Sequence, residues 1–486
     1  MNLQNASILV VGAGLMGAGI AQVAAQAGHA VTLFDNRPGA AEAAKARLAA
    51  TLDGLVAKGK LTAEAAAATL ARITPVDALA PVDLVIEAIV ENLEVKRALF
   101  AELEALLPDE AVIATNTSSI SVTALARGMK HPERLVGMHF FNPVPLMKLV
   151  EVVWGLGTAP EVAQAIYELS ARWGKVPVHA RSTPGFIVNR IARPYYAEAL
   201  MLLQDRVVAP EVIDACLRAA GFRMGPCELM DLIGHDTNFA VTNSVFQANF
   251  FDRRFTPSLV QQELVDAGWL GRKSGRGFYR YPEGVPALPP ESGDRARPDA
   301  RQVVLHGRGP IADRLAAALP DVARQQDSDW IGLEADRLQL RLTDGRTARE
   351  LAAEREFMAP VVVFDLPLGP GGDLAYACSG NFDGRHLGWL SALGFTPRSM
   401  VDMPGLIVAR TIAMLVNEAH DAVQQGVCSE EGADAAMKLG VNYPAGPFEW
   451  ATLWGTRPIV DVLDRLDAYY RGERYRVSPY LRNTLL

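Results

Sequence analysis

His139 and Glu151 have the residue types and the spacing to act on one another. They lie in GMHFFNPVPLMKLVEVV, Gly137 to Val153, where a short apolar run, a proline-rich break and an alternating apolar run follow in order. Asn142-Pro143-Val144-Pro145 cannot continue a strand ladder, because proline has no N–H to donate. If the chain doubles back there, His139 and Glu151 face each other on neighbouring strands. A carboxylate on one imidazole nitrogen fixes the tautomer, leaves the other nitrogen to accept a proton and stabilises the imidazolium that forms. The competing reading is an ion-paired histidine with a structural role. Asn116-Thr117-Ser118-Ser119 closes the apolar run Ala111 to Thr115, at the strand end where open α/β sheets place ligands. Helix capping competes for each hydroxyl, and for Ser119 and Ser121 it is the preferred reading. Asn189 follows Ser182-Thr183-Pro184, a helix-start signal, and so falls about one turn inside a helix.

Nucleotide binding is the second chemistry. Ser7 to Val11 is a continuously apolar strand, followed by Gly12-Ala13-Gly14-Leu15-Met16-Gly17 and an Ala-rich helical run, Ala18 to Ala27, closed by Gly28. A second strand, Ala30 to Phe34, ends in Asp35. This is the dinucleotide-binding order of strand, glycine turn, helix, strand and acid. Gly12 permits the turn, Gly14 lets the backbone approach the pyrophosphate, and Gly17 packs the helix on the strand. Asp35 bonds the ribose hydroxyls and repels a 2′-phosphate, which favours NAD over NADP. Arg37 is a reservation, since arginine accepts that phosphate.

These residues need more than one body to hold them. The chain has 486 residues, half of them apolar, too many for one core, so two to four globular domains are expected. A net charge of −8 argues against nucleic acid, and no basic run suggests a membrane surface. Four cysteines, Cys216, Cys227, Cys378 and Cys428, lie far apart without metal-ligand spacing, as thiols in a reducing cytoplasm do. The apolar N-terminus lacks the basic start of a signal peptide. No metal is expected. Ala40 to Arg72 is a long helical region interrupted at Gly59, expected to project from the core. Val82 to Ala88 is a strand and Glu91 to Leu107 a helix; another helix and strand run to about His179. From Ser182 to Phe251 the chain is helical, with Pro194 expected to kink it. Gly271 to Tyr281 closes that region as a glycine-rich basic turn, and Glu283 to Pro298 reads as a linker.

Beyond the linker, Gln302 to Leu319 again runs strand, Gly307-Arg308-Gly309, helix, and Val361 to Asp365 is a strand. Met403-Pro-Gly-Leu-Ile-Val-Ala-Arg410 repeats Thr183-Pro-Gly-Phe-Ile-Val-Asn-Arg190, and Ala445-Gly-Pro-Phe-Glu449 repeats Met224-Gly-Pro-Cys-Glu228. The helical domain is duplicated. The second copy has no His-Phe-Phe-Asn-Pro, carries Ala409 where the first has Asn189, and places Pro310 where pyrophosphate needs donors.

In these motifs the sequence resembles the 3-hydroxyacyl-CoA dehydrogenases. Ala6 to Tyr281 matches almost continuously through GAGLMGAGIA, EAIVENLEVK, NTSSIS, GMHFFNPVPLMKLVEVV, TPGFIVNR and MGPCELMDLIG. The tandem half looks most like the bacterial long form. The resemblance implies an α/β Rossmann NAD-binding domain over 1–181, an all-α domain over 182–282, a linker over 283–300, a reduced Rossmann-like domain over 301–398 and a second helical domain over 399–486. It implies NAD-dependent oxidation of an (S)-3-hydroxyacyl-CoA thioester to the 3-oxoacyl-CoA. 3-Hydroxyadipyl-CoA from phenylacetate breakdown is the expected substrate, 3-hydroxybutyryl-CoA the alternative, and a non-catalytic crystallin-like protein the remote one. His139 is then the base and Glu151 its partner. Ser118 and Asn189 contact the substrate's 3-oxygen, and Asn142 lines the nicotinamide side. Glu91 and Lys96 stand near the cofactor, and Thr51 and Lys58 at CoA. None of the four reaction-centre positions departs from the family pattern. Helical domains of this family pair between subunits, which implies a homo-oligomer or a copy that packs on the first within one chain. Arg193, four residues after Asn189, would share its helix face and pair with a diacid's terminal carboxylate or with a surface acid.

Overall fold

The computed structural model describes residues 3–289, 291, 293, 295–354, 360–380 and 384–486. Positions 290, 292 and 294 of the expected linker, and 355–359 and 381–383 of the expected reduced domain, lie outside them. The chain divides into two units, Met1–Arg190 with Gln425–Val441, and Ile191–Gln424 with Asn442–Leu486.

The first unit is built on eight strands: β1 (Ile8–Val11), β2 (Val31–Phe34), β3 (Ile73–Val76), β4 (Leu84–Glu87), β5 (Val112–Thr115), β6 (Leu135–Phe140), β7 (Leu149–Trp154) and β8 (Val176–Arg181). Their order is β3-β2-β1-β4-β5-β6-β7-β8, and only β6 and β7 run antiparallel to each other. The inner strands are buried end to end, which is why they read as unbroken apolar runs rather than alternations. Helices α1 (Leu15–Gln26), α2 (Ala40–Ala57), α3 (Ala63–Ala71), α4 (Leu93–Leu106), the one-turn α5 (Val122–Leu125) and α6 (Pro160–Arg172) pack around the sheet. The order reverses between β1 and β4, so the crevice at the carboxyl ends of these two strands is where such a sheet takes a ligand.

Ala40 to Arg72 departs from expectation. It folds as a hairpin of α2 and α3 whose inner residues Ala41, Ala44, Leu48 and Leu52 join the main core, and it leads into β3, which pairs with β2 at the sheet edge. The alanine stripe is narrow enough to lie against α1, so the inner face is buried while the outer face and the end near Gly59 are exposed. Pro194 departs too. A one-turn helix α7 (Val188–Ile191) stops at Ala192, and α8 (Arg193–Gln204) starts afresh with Pro194 in its first turn. There the missing N–H leaves no bond unmade, so the proline begins a helix instead of kinking one.

The second unit carries helices α8, α9 (Pro210–Ala219), α10 (Pro226–Ile233), α11 (His235–Ala248) and α12 (Leu259–Asp266), then a seven-stranded mixed sheet. Its strands are β9 (Val303–His306), β10 (Ala323–Gln325), β11 (Gly332–Ala335), β12 (Leu338–Leu342), β13 (Val361–Phe364), β14 (Gly372–Cys378) and β15 (Phe395–Ser399), in the order β10-β9-β11-β12-β13-β14-β15. Helices α13 (Pro310–Ala318), α14 (Ala348–Ala353) and α15 (Arg385–Ala392) accompany it. Then come α16 (Val408–Gln424), α17 (Glu430–Gly440), which belongs to the first unit, and α18 (Pro447–Trp454), α19 (Thr456–Tyr470) and α20 (Pro479–Asn483). Equivalent helices of the two copies, α8 and α16, lie against each other.

The copies treat the sheets reciprocally. In the second unit α9 packs on β14, and a Cβ added at Gly369 would stand 1.7 Å from the Ala219 carbonyl oxygen. In the first unit α17 packs on β7 and β8, and a Cβ at Gly440 would stand 2.7 Å from Leu149 Cδ2. Small residues at both contacts admit the close approach.

Candidate active site

The antiparallel register of β6 and β7 sets His139 directly opposite Glu151. His139 Nδ1–H donates to Glu151 Oε2 at 2.5 Å, and both side chains are buried. The rings of Phe141 and Phe186 stand 4.5 and 5.9 Å from the imidazole centroid. With Nδ1 engaged, Nε2 is left as the proton acceptor. The other carboxylate oxygen, Oε1, accepts from the backbone N–H groups of Ile187 and Val188, each at 3.0 Å. Glu151 therefore also satisfies the open N-terminus of α7, a demand every helix start makes. The turn that delivers those N–H groups requires left-handed backbone at Gly185 (φ 78°) and Phe186 (φ 47°). A Cβ on Gly185 would meet Arg190 N at 2.9 Å, so glycine is needed for space as well as for conformation.

Asn189 lies on α7, and its Nδ2 approaches the Ser118 carbonyl oxygen at 3.5 Å. His139, Glu151, Ser118 and Asn189 are thus brought together, Ser118 on a loop and Asn189 on a one-turn helix, each segment drawn in by a carboxylate. Glu91 Oε1 accepts from Thr117 Oγ1 at 2.6 Å, Ser118 N at 2.9 Å, Ser119 Oγ at 3.0 Å and Ser119 N at 3.1 Å. Burial pushes the Glu91 carboxyl pKa up, but the Lys96 charge and these donors outweigh it and hold it below the ordinary value. Lys96, 1% exposed, bonds Glu91 Oε2 at 3.2 Å and Glu87 Oε1 at 2.6 Å. Its charge is spent inside this network, where it fixes Glu91. Asn116 Oδ1 accepts from Phe140 N at 2.8 Å, tying the same loop to β6. Ser121 caps α5 as expected, whereas Ser119 donates to Glu91 and caps nothing.

The glycine turn at the β1/β4 crevice tests well against a dinucleotide. Gly12 has φ 105°, and a Cβ there would meet the Ala88 carbonyl oxygen at 2.5 Å; one at Gly17 would overlap the Gly12 carbonyl oxygen at 1.7 Å. At Gly14 nothing lies within 4 Å, so space is kept where backbone must approach a phosphate. No side chain caps α1, and no acid stands in its first turn; its N–H groups and dipole are open to an anion. A cavity of about 620 Å³ is lined there by Gly12, Gly14, Phe34, Asp35 and Ile89. Asp35 Oδ2 accepts from Ala13 N at 2.8 Å, and Oδ1 from Arg37 Nε at 3.0 Å. The bond from Arg37, followed by those from the backbone, holds the Asp35 carboxyl below its usual range although burial opposes them. Arg37 thus reinforces the acid instead of standing apart as a 2′-phosphate site.

Leu15 and Met16 open α1 just after the turn, with Leu15 exposed. Asn142 is exposed in the loop after β6. Thr51 and Lys58 sit at the exposed outer end of α2, seven residues apart and so on one face; no contact joins them to the dyad. Arg193 departs from expectation: it is neither on Asn189's helix nor on the surface, but buried in the second unit. Two residues passed over at sequence level also matter. Glu87 is an acid inside the apolar run of β4, a signal that was legible, and also accepts from Thr115 Oγ1 at 2.6 Å. Lys175 donates to the carbonyls of Val144 at 2.5 Å and Met147 at 2.8 Å, pinning the proline loop between β6 and β7. Burial, then repulsion from Lys148, lowers its pKa to about 8; nothing in its spacing announces this.

Residues 7–183 match the 3-hydroxyacyl-CoA dehydrogenase NAD-binding domain, and 185–281 and 405–485 both match the C-terminal domain of the same name. The chain is 48% identical to the 3-hydroxyadipyl-CoA dehydrogenase of Escherichia coli K12, covering 99% of this chain and 97% of that one. It belongs to the 3-hydroxyacyl-CoA dehydrogenase family. It is an NAD-dependent oxidoreductase with a Rossmann domain and, in this chain, a duplicated helical domain. Residues 340–404 match a 3-hydroxybutyryl-CoA dehydrogenase reduced Rossmann-fold domain. A crystal structure of 3-hydroxybutyryl-CoA dehydrogenase from E. coli K12 superposes with TM-score 0.90 at 46% identity, covering 98% of each chain. Porcine mitochondrial hydroxyacyl-coenzyme A dehydrogenase is 41% identical over 56% of this chain and 90% of its own. Among the described residues no helix is long and apolar enough to cross a membrane.

Proposed function

We propose that this dehydrogenase oxidises 3-hydroxyadipyl-CoA, with His139 Nε2 taking the hydroxyl proton from the substrate. The observation that carries the mechanism is the bifunctional Glu151. One oxygen fixes the imidazole, and the other fixes the turn bearing Asn189, so base and oxygen-binding amide are set by one rigid group. The Ser118 hydroxyl and Asn189 amide donate to the 3-oxygen as negative charge develops on it. Phe141 and Phe186 keep water from the imidazole. Bound NAD supplies the acceptor for the hydride that leaves C3; Asp35, Gly12, Gly14, Leu15, Met16 and Gly17 hold it, with Asn142 on the nicotinamide side. Glu91, fixed by Lys96, shapes the Ser118 loop, and Thr51 and Lys58 meet the CoA moiety. The adipyl reading is supported by the 48% identity to a 3-hydroxyadipyl-CoA dehydrogenase matched over almost its whole length; a 3-hydroxybutyryl-CoA dehydrogenase structure that covers 98% of this chain keeps the butyryl thioester as the alternative substrate. Four unbridged cysteines fit a reducing cytoplasm.

The test is NADH absorbance with purified protein on 3-hydroxyadipyl-CoA and 3-hydroxybutyryl-CoA. A kcat/KM at least about 10-fold higher for the diacid is expected, a difference of roughly 1.4 kcal/mol in transition-state stabilisation. A preference for the butyryl thioester would reverse the assignment of substrate.

A further inference from the structure

Arg193 begins α8 in the second unit and is 6% exposed. Its Nη1 donates to Thr242 Oγ1 at 3.2 Å, and its guanidinium carbon lies 4.8 Å from the Tyr196 ring centroid. Its Nε has no acceptor, and among the described residues it has no carboxylate partner. The neighbouring buried arginines are all compensated. Arg254 donates to Glu418 at 3.0 Å and to Asp421, while Arg410 and Arg474 donate to Glu198 at 3.0 and 2.8 Å. Those three cations, with Arg476 also 3.5 Å from Asp421, share three carboxylates, and none of these reaches Arg193. A desolvated charge without a counter-ion is costly, and burial pulls the Arg193 pKa down against the influence of Tyr196 and Tyr443. The Tyr443 hydroxyl is itself buried without a partner.

Arg193, Tyr196 and Thr242 wall one part of a cavity of about 220 Å³. Leu200, Met201, Phe255 and Pro257 supply apolar lining, and the compensated Arg254 and Arg474 reach the same cavity along with several uncharged polar side chains. A cation set into an apolar wall suits a short carbon chain that ends in a carboxylate, which a guanidinium grips through two parallel bonds. A phosphate, hydrated on all sides, would leave the apolar wall wet.

We propose that this cavity binds the carboxylate of a short aliphatic acid, with Arg193 as its counter-ion. The ligand is a free small aliphatic acid, and its binding does not depend on the adipyl reading above.

Calorimetry on the full chain with adipate, and with 1,6-hexanediol as the neutral analogue, reads the cavity directly. Wild type is expected to bind adipate and not the diol, and Arg193→Met to weaken adipate about 10- to 100-fold, the value of one charge-assisted contact. Met201→Glu, which places a carboxylate in the cavity and leaves Arg193 in place, should have the same effect, so misfolding of one variant does not decide the matter. Adipate binding that both variants weaken supports the proposal; adipate held equally by wild type and both variants, or no adipate binding by wild type, overturns it. Failure of wild type to oxidise 3-hydroxyadipyl-CoA would instead sink the substrate reading, and calorimetry would still decide the cavity.

Discussion

Glu151→Gln separates the two tasks of one side chain. In the wild type the carboxylate accepts three N–H groups: Nδ1–H of His139 on Oε2, and Ile187 and Val188 on Oε1. An amide has one oxygen. If that oxygen turned to His139, two buried backbone N–H groups would face an NH₂, at about 1–3 kcal/mol for each unmet donor. Keeping the oxygen on α7 is cheaper, because the imidazole can move its proton. The NH₂ then donates to Nδ1, the proton shifts to Nε2, and the nitrogen that should accept from substrate becomes a donor. The expected cost in kcat is about 10²- to 10⁴-fold, the range for losing a general base or its tautomer. NAD affinity should stay within about 3-fold, since the glycine turn and Asp35 are untouched. Urea denaturation should register a loss of roughly 1.5–3 kcal/mol for the missing charged acceptor. Turnover is read by NADH absorbance and the tautomer by ¹⁵N NMR of the imidazole. A variant that folds, retains Nδ1–H and turns over within a factor of about ten of wild type would refute the reasoning. The second copy supplies a control: Asp365 accepts from the Ile407, Val408 and Ala409 N–H groups, which follow a turn with left-handed Gly405 and Leu406, and among the described residues it bonds no histidine. Asp365→Asn should therefore cost stability by a similar amount and leave the pH dependence of turnover in place.

Gly14→Ala meets no protein atom, so the melting temperature should hold within about 2 °C while NAD binding weakens at least about 10-fold as its backbone approach is blocked. Gly17→Ala overlaps the Gly12 carbonyl oxygen and should destabilise the fold itself by roughly 3 kcal/mol or more, measured by urea denaturation. For Lys175, whose pKa falls from 10.5 to about 8 on folding, the unfolded chain holds more protons between these values. Stability relative to Lys175→Met should therefore rise with pH across that window and be flat below it; a falling difference would contradict the assignment. Calorimetric titration should give one NAD per chain, because Pro310 removes an N–H at the start of α13 and the His306 ring at the end of β9 is stacked 4.2 Å from that of Trp330.

The local chemistry of the first half was legible because it depends on near neighbours in the chain. A glycine triplet between a strand and a helix needs only the backbone rules of that turn, and Asp35 ends the next strand in register with β1. The opposition of His139 and Glu151 follows once prolines force a break between two strands, since side-chain alternation leaves few registers. The repeat from Met403 was visible as text. What the sequence could not supply were contacts that join distant segments. Glu91 gathering the Ser118 loop, Lys175 holding the proline loop, and Glu151 reaching the start of α7 depend on loop closures whose ends carry no spacing signal. The break after Ile191, which sends Arg193 into the interior without a carboxylate, reads in sequence only as a kink at Pro194 in one helix. The reciprocal placement of α9 on β14 and α17 on β7 and β8 is the clearest case. Each helix is amphipathic, and its composition says only that one face must be buried. Which sheet buries it was decided by packing, through glycines at 369 and 440 that leave room for the approach.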